Sequence, residues 1–514
     1  MIKNFKLEIL VLFFLGILCS LSLPPFNFFL INFFTFSFLF IFLFKRLNKI
    51  KSNKVFFFYG WVFGFGYFIS NLYWITISLT FDQNFSFLIP IALLLIPAFL
   101  GLFYGFVTFI FYIFNLKNLL SSFFLFSLLF GFAEFIRGNV FTGFPWNLIV
   151  YSLSKNLNLI YFLSVVGTYG FNLIVISLFS APSIYILRKS KKEIIVCFFL
   201  LLLPVLMYSY GHINKQKFLN NEVKDNPYLI RAIGSNISLD RFYENTQTKE
   251  IINDLIKLSK PEMNEKTFFL WPEGIIPFTY QDDLLRYYDL FNENFDDNHL
   301  IGLGITSRYY KENEYEYFNS FIVIDNKSNL IENYNKVKLV PFGEFIPFES
   351  FLNKIGFKTI TNNFGSYSKG ENREIIEIRN NLGELKFLPL ICYEIIYSGT
   401  LTKSFDFDFI FNISEDGWFG KSIGPKQHLA HSIFRAIETG KYIIRSANNG
   451  MAAIINPLGE IEQKVDYGQN GFIDFKKSKV LNSTIFSRFG NKIFTILILL
   501  YIFLIFSFNR FKNE

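Results

Sequence analysis

Eight apolar runs constrain this chain more than any other feature. They lie near residues 7–23, 28–44, 55–79, 86–114, 119–136, 160–187, 192–210 and 492–508. A helix needs about 20 apolar residues to cross a bilayer. Lipid offers the backbone no hydrogen-bond partners, so runs of this length predict transmembrane helices. Only 18% of the residues are charged, against ~25% in soluble domains. The first run is not expected to be a cleaved leader. Six more runs follow it before any large polar stretch, and Leu23-Pro24-Pro25-Phe26 reads as a tight turn, not a small-residue cleavage site.

Charge predicts the orientation. Lys3 and Lys6 precede the first run. Lys45, Arg46, Lys49, Lys51 and Lys54 follow the second, Lys117 the fourth, Arg188, Lys189, Lys191 and Lys192 the sixth, and Arg510 and Lys512 the eighth. All fall on one side. The opposite loops 24–27 and 80–85 carry no basic residue, and the loop after the fifth run has only Arg137 and Lys155. Short basic loops stay in the cytoplasm. The expected organisation is therefore a membrane domain over 1–210 with seven helices, an extracytoplasmic domain over 211–491, and an eighth helix with a cytoplasmic tail over 492–514. Residues 211–490 hold 32 Lys+Arg and 36 Asp+Glu, so the overall charge of +8 comes from the apolar regions and their flanks. That excludes reading the basic balance as a nucleic-acid footprint.

Within the apolar runs, Gly60, Gly64 and Gly66 have spacings that let helices pack closely. Glu134 and Arg137, one helical turn apart, read as an ion pair that satisfies itself. Phe141 to Trp146 reads as an outward aromatic loop, either an interfacial belt or a floor beneath the outer domain.

In the outer region, strand-like runs recur at 228–233, 267–271, 299–304, 320–325, 386–391, 408–413, 442–446 and 452–456. Helical patterns lie at 246–259, 281–291 and 426–440. This alternation predicts a layered α/β domain. Cys392 is its only thiol, which rules out an internal disulfide and leaves either a small buried hydrophobe or a nucleophile. It stands where the strand Lys386–Ile391 ends. If a helix starts there, backbone N–H groups lower the thiol pKa. Glu273, directly after the run Thr267–Trp271, is either a solvated carboxylate or a desolvated base. Lys336 and Lys338 follow a strand, and two lysines in a loop normally form a solvated face. His428 and His431 are i,i+3 on a helix without further metal ligands at suitable spacing, so no metal is expected. No phosphate-binding glycine loop and no Gly-x-Ser-x-Gly are present.

The ordered set Trp271-Pro272-Glu273, Tyr334-Asn335-Lys336-Val337-Lys338-Leu339-Val340-Pro341-Phe342-Gly343-Glu344 and Ile391-Cys392-Tyr393-Glu394 resembles the Glu-Lys-Cys pattern of the nitrilase superfamily. The Pro-Phe-Gly-Glu run, Trp418-Phe419-Gly420 and Gly424-Pro425-Lys426-Gln427-His428 are similar to its membrane-embedded branch, the apolipoprotein N-acyltransferases. Leu23-Pro24-Pro25-Phe26, Gly60-Trp61 with Tyr73-Trp74, and Thr142-Gly143-Phe144-Pro145-Trp146 also look like that family's marks. One stretch departs from the pattern. The family usually has a Gln-x-Asn-Ile-Pro-Gln-like segment, and here Gly234-Ser235-Asn236-Ile237-Ser238-Leu239 keeps only Asn236-Ile237.

The resemblance implies an αββα nitrilase-like sandwich joined to a polytopic helical membrane domain of about eight helices. It implies an enzyme of the bacterial inner membrane, acting as a monomer without cofactor, with its catalytic domain on the periplasmic side. Its partners would be the bilayer, a phospholipid acyl donor and an apolipoprotein acceptor. The acyl chain would pass through a cysteine thioester to the N-terminal amine of the acceptor's diacylglyceryl-cysteine. Glu273 would be the base, Lys336 the oxyanion donor and Cys392 the nucleophile. Glu344, Tyr393 and Glu394 would support them, with Glu344 orienting the lysine. A membrane-tethered amidase using water, or a non-enzymatic membrane protein with a folded ectodomain, remain alternatives. For lipid access, Trp146 and Trp418 are candidates, as are Phe351 and Leu352. The spacing Phe348, Phe351, Leu352, Ile355 marks one apolar helical face, either packed on the core or resting on the bilayer.

Overall fold

The computed structural model describes residues 2–243, 248–347, 365–380 and 382–510. The chain divides into two compact units, Met1–Lys217 with Thr484–Glu514, and Phe218–Ser483.

In the first unit every apolar run is helical: α1 Ile2–Ser20, α2 Ile31–Arg46, α3 Asn53–Leu72, α4 Ile89–Phe114, α5 Leu119–Asn139, α6 Leu163–Leu187, α7 Lys191–Leu219, and the C-terminal helix Lys492–Arg510. Among the described residues, six helical segments are long and apolar enough to cross a membrane. The glycines of α3 do what their spacing predicts. A Cβ on Gly60 would lie 2.2 Å from the Tyr104 carbonyl oxygen, and one on Gly66 would lie 2.3 Å from that of Phe13. Their bare backbone therefore lets α4 and α1 close onto different faces of α3. Helix α7 runs unbroken through residue 210. Gly211 is not a boundary but a packing position, since a Cβ there would meet the Asn158 carbonyl. The Glu134–Arg137 pair is more than self-satisfied. Tyr104 donates to Glu134, and Arg137 donates to the carbonyls of Phe144 and Asn147, so the pair ties α4, α5 and the following loop together.

The second unit contains β1 Val223–Ser235, β2 Thr267–Leu270, β3 His299–Lys311, β4 Glu314–Ile324, β5 Leu330–Asn335, β6 Ile376–Asn380, β7 Gly383–Ile391, β8 Phe409–Glu415, β9 Tyr442–Asn448, β10 Ala452–Ile455, β11 Ile461–Val465 and β12 Gly471–Lys479. The main order is β5-β4-β3-β2-β1-β9-β8-β7-β6, with parallel pairing from β3 through β2, β1, β9 and β8 to β7. All eight expected strands are present, and β5, β6, β11 and β12 are additional. The expected helix over 281–291 is instead a 3-10 stretch, Gln281–Tyr287, followed by a short α-helix.

The ribbon of strands folds on itself. Along β2 the side chains alternate between two interiors. Phe268 meets Phe387 and Phe411 from the other half of the sheet at ring distances of 5.8 and 5.2 Å. Phe269 and Trp271 point the opposite way, into a cluster with Ile252 and Leu255 of helix α8, Thr248–Ser259. Burial on both faces explains why Thr267–Trp271 reads as a continuous apolar run rather than an alternating one. A helix α9, Tyr288–Asn294, adds Phe291 to the same cluster. Helix α10, Gly424–Thr439, buries Phe434 and Ile437 on the other half of the sheet. The layers are helix, sheet, sheet, helix.

Candidate active site

The ends of two parallel-paired strands, β2 and β7, and of the antiparallel strand β5 carry the three motifs. Past the end of β2, Glu273 is buried. Gly304 of β3 lies against it so closely that a Cβ there would sit 2.4 Å from the Glu273 Cα. Lys336 follows β5, and its backbone N–H donates to the Asn319 carbonyl of β4. Its side chain is 1% exposed. Lys336 Nζ is 3.0 Å from Glu273 Oε1 and 2.8 Å from Glu344 Oε1. Asn319 Nδ2 donates to the same two oxygens, at 2.8 and 2.7 Å. The backbone N–H of Glu415 fixes Glu273 Oε2 at 2.9 Å, and that of Val340 fixes Glu344 Oε2 at 2.8 Å. Burial works against the Lys336 charge, but Glu273 and Glu344 outweigh it and hold the ammonium well above the usual lysine range. Burial pushes the Glu344 carboxyl up, and Lys336 opposes the push.

Cys392 stands where β7 ends, with φ +46°. A non-glycine residue in that region is strained and persists only when its surroundings over-determine it. Glu394 supplies much of that determination. Its carboxylate accepts from the N–H groups of Ile391, Val337 and Lys338 at 3.0, 3.0 and 3.1 Å, and from the Tyr334 hydroxyl at 2.9 Å. It thereby ties the lysine loop to the cysteine turn. Tyr393 is buried, with its ring on Tyr397. The helix after Cys392 is one 3-10 turn, Cys392–Ile396, too short to activate the thiol. Contrary to the sequence expectation, the thiol lies well above its ordinary range. Burial pushes it up, Glu273 adds to the push, and Lys336 opposes it.

The structure adds partners that the sequence reading missed. Asn319 bridges two carboxylates from the middle of a strand, where no local signal marks it. Arg241 pairs with Glu415, the residue whose N–H holds Glu273. His428, for which the sequence suggested no role, is buried with Nε2 3.2 Å from the Cys392 carbonyl oxygen and Nδ1 2.9 Å from Asp416. Donor atoms of Cys392, Asp416 and His428 lie within 4.8 Å of one another. A metal ion does not fit them, because Arg445 Nη2 is bonded to both Asp416 oxygens and lies 3.1 Å from His428 Nδ1. The guanidinium holds the place a cation would take. The unusual stretch 234–239 is anchored from the same side. Asn448 accepts from the Ser235 hydroxyl and the Ile237 N–H, and donates to the Ile237 carbonyl.

The lipid-access candidates separate. Trp418 is half-buried and stacks on Phe242 at 5.7 Å. In the helical unit Trp146 is not outward-facing but 3% exposed, with its ring 5.0 Å from Trp74. Phe141 is the exposed member of that loop, at 77%. The loop turns its first aromatic outward and uses its last for packing. Phe351 and Leu352 lie outside the described residues. Lys338, read from sequence as solvated, is instead half-buried with Nζ 5.1 Å from the centre of the Tyr397 ring.

Comparison with known proteins agrees with both units. Residues 15–181 match the apolipoprotein N-acyltransferase N-terminal domain, and residues 296–474 match carbon-nitrogen hydrolase. An apolipoprotein N-acyltransferase of Rhizobium leguminosarum bv. trifolii (strain WSM2304) is 33% identical over 490 residues, covering 89% of this chain and 88% of its own. One of Rickettsia prowazekii (strain Madrid E) is 32% identical, covering 95% of each chain. Among solved structures, an amidase from Nesterenkonia sp. aligns with a TM-score of 0.34 and 10% identity, over 53% of this chain and 97% of its own. Sequence similarity along nearly the whole length decides the matter: this chain belongs to the apolipoprotein N-acyltransferase family.

Proposed function

We propose that this protein moves an acyl chain from a membrane phospholipid to Cys392, and from there to the N-terminal amine of a diacylglyceryl-cysteine on an apolipoprotein. The observation that carries this reading is one buried ammonium, Lys336, held between two carboxylates beside the only thiol of the α/β unit. In the first step Glu273 accepts the Sγ proton as the sulfur attacks the ester carbonyl. Lys336 stabilises the tetrahedral oxyanion, a role typically worth ~3 kcal/mol per donor. The C–O bond breaks, Glu273 returns the proton to the departing lysophospholipid oxygen, and the thioester remains. In the second step the amine nitrogen attacks the thioester and gives its proton to Glu273. The C–S bond breaks, the amide forms, and the proton passes to the sulfur. Glu344 shares the Lys336 ammonium and Asn319 with Glu273, and so orients both.

A thiol that rests protonated suits this division. It stays unreactive until a substrate carbonyl is in place, and only then does the carboxylate 3.0 Å from Lys336 have a proton to take. Intact-mass analysis of the full-length protein with phospholipid tests the reading. One acyl chain should add to Cys392 and be discharged by an N-terminal diacylglyceryl-cysteine peptide. Discharge by water at the same rate would favour hydrolysis, and the absence of any adduct would refute the reading. We place the α/β unit on the periplasmic side of the inner membrane, from the basic short loops. A membrane-impermeant thiol reagent should label Asn220→Cys in intact spheroplasts and Ser52→Cys only after permeabilisation. The reverse pattern would overturn the orientation.

A further inference from the structure

One charged group beside the cysteine turn has no assigned work. Arg373 has a side chain 7% exposed. Its Nε reaches Glu394 at 3.4 Å and its Nη1 donates to the Thr400 carbonyl at 2.7 Å, with the Tyr334 hydroxyl also beside the guanidinium, while its Nη2 is buried and among the described residues meets no acceptor in good hydrogen-bond geometry. A buried guanidinium nitrogen without an acceptor is costly and calls for an explanation. Two more cations stand close by. Lys338 lies half-buried over the Tyr397 ring, its own N–H donating to Glu394. Lys369 is exposed on the segment whose next residue, Gly370, donates to the Lys336 carbonyl. The charged groups that act on Lys338 are Arg373, Lys369 and Glu394. Burial and the two cations pull its ammonium below the usual range, against Glu394. Of the three positive groups only Arg373 reaches the Glu394 carboxylate, which already serves the Tyr334 hydroxyl and three backbone N–H groups.

We infer that Lys338 and Lys369, over Arg373, form the subsite for the phosphate of the phospholipid donor. An anion there would balance the excess of positive charge over Glu394 and supply acceptors for the basic side chains. The placement suits a glycerophospholipid, whose phosphate lies a few bonds from its ester carbonyls. Lys338 is two residues from Lys336, and Tyr397 closes the turn that begins at Cys392. The subsite rests on the acyl-transfer reading above and adds to it a means of choosing the donor.

The test measures acylation of full-length protein in detergent micelles from two donors, a phosphatidylethanolamine and the phosphate-free ester para-nitrophenyl palmitate. Lys338→Gln with Lys369→Gln should lower the phospholipid-to-nitrophenyl-ester rate ratio about tenfold, the scale of a lost charge-assisted hydrogen bond, through a higher half-saturating phospholipid concentration. Lys338→Arg should restore most of the ratio. An unchanged ratio, or equal losses with both donors, would overturn the subsite while leaving the acyl transfer intact. Wild-type protein acylated by neither donor would remove both. Inorganic phosphate added to the wild type should slow the phospholipid reaction selectively. If phosphate does so while the double variant keeps its ratio, the site holds free anions and not the headgroup.

Discussion

Two of the buried carboxylate–cation clusters are built to opposite ends. In the helical unit Glu134 and Arg137 form a balanced pair: one carboxylate, one guanidinium, with Tyr104 and two backbone carbonyls taking what remains. The Phe68 ring lies 5.1 Å from the guanidinium carbon. In the α/β unit, Glu273 and Glu344 share one ammonium, and the Cys392 thiol stands within the field of Glu273 and Lys336. The guanidinium fork suits a fixed bidentate pair, and the compact ammonium suits a point charge that faces two sides at once. The first cluster ties α4, α5 and the following loop together. The second sets a carboxylate, Glu273, where it disfavours the Cys392 thiolate.

Cys392→Ser should break the second cluster's chemistry most completely. The protein should fold and form no acyl adduct, because an alkoxide is far harder to generate than a thiolate. An adduct at the wild-type level, or one mapped to Cys19, would end the assignment. Lys336→Arg keeps the charge but widens the head, and should slow transfer by roughly two orders of magnitude, the scale of a lost oxyanion donor. A milder effect than that of Lys338→Arg would show that the register of the lysine motif is wrong.

Next comes the thiol itself. With its pKa raised, alkylation of Cys392 by iodoacetamide should climb about tenfold per pH unit through and beyond the ordinary thiol range. Glu273→Gln removes a negative charge that disfavours the thiolate. The sign is therefore opposite to its effect on transfer: alkylation near neutral pH should speed up while acylation is lost. Slower alkylation would mean that Glu273 does not act on the sulfur. The smallest catalytic effect belongs to the balanced pair. Glu134→Gln strands a buried guanidinium, which costs about 3–5 kcal/mol when such pairs are broken. The melting temperature should fall, yet transfer per folded molecule should stay within about twofold. Collapse of transfer at an unchanged melting temperature would erase the distinction between the clusters.

Legibility followed burial. The eight strands read from sequence are those whose apolar residues run together, such as β2 and β8, buried along their lengths. The four missed strands include β5 with Glu332, Asn333 and Asn335, and β11 with Glu462, Gln463 and Lys464. These are half-exposed or peripheral strands whose polar faces hide the pattern. Lys338 was misread because a loop lysine carries no mark of the aromatic ring that will lie beneath it.

The helices of the apolar runs, the division into a helical membrane part and a layered α/β part, and the strand-end placement of Glu273 and Cys392 were legible along the chain. Span length, charge flanks and strand-end motifs are all written in neighbouring residues. What surrounds Glu273, Lys336 and Cys392 was settled by packing. Asn319 lies 46 residues from Glu273, Glu415 lies 142 from it, and His428 lies 36 from Cys392. A buried polar group takes whichever partner the packed strands bring within about 3 Å. That proximity has no period and no local spacing along the chain. The tie between the strained turn at Cys392 and the lysine loop, through Glu394, exists only once both halves of the sheet have closed.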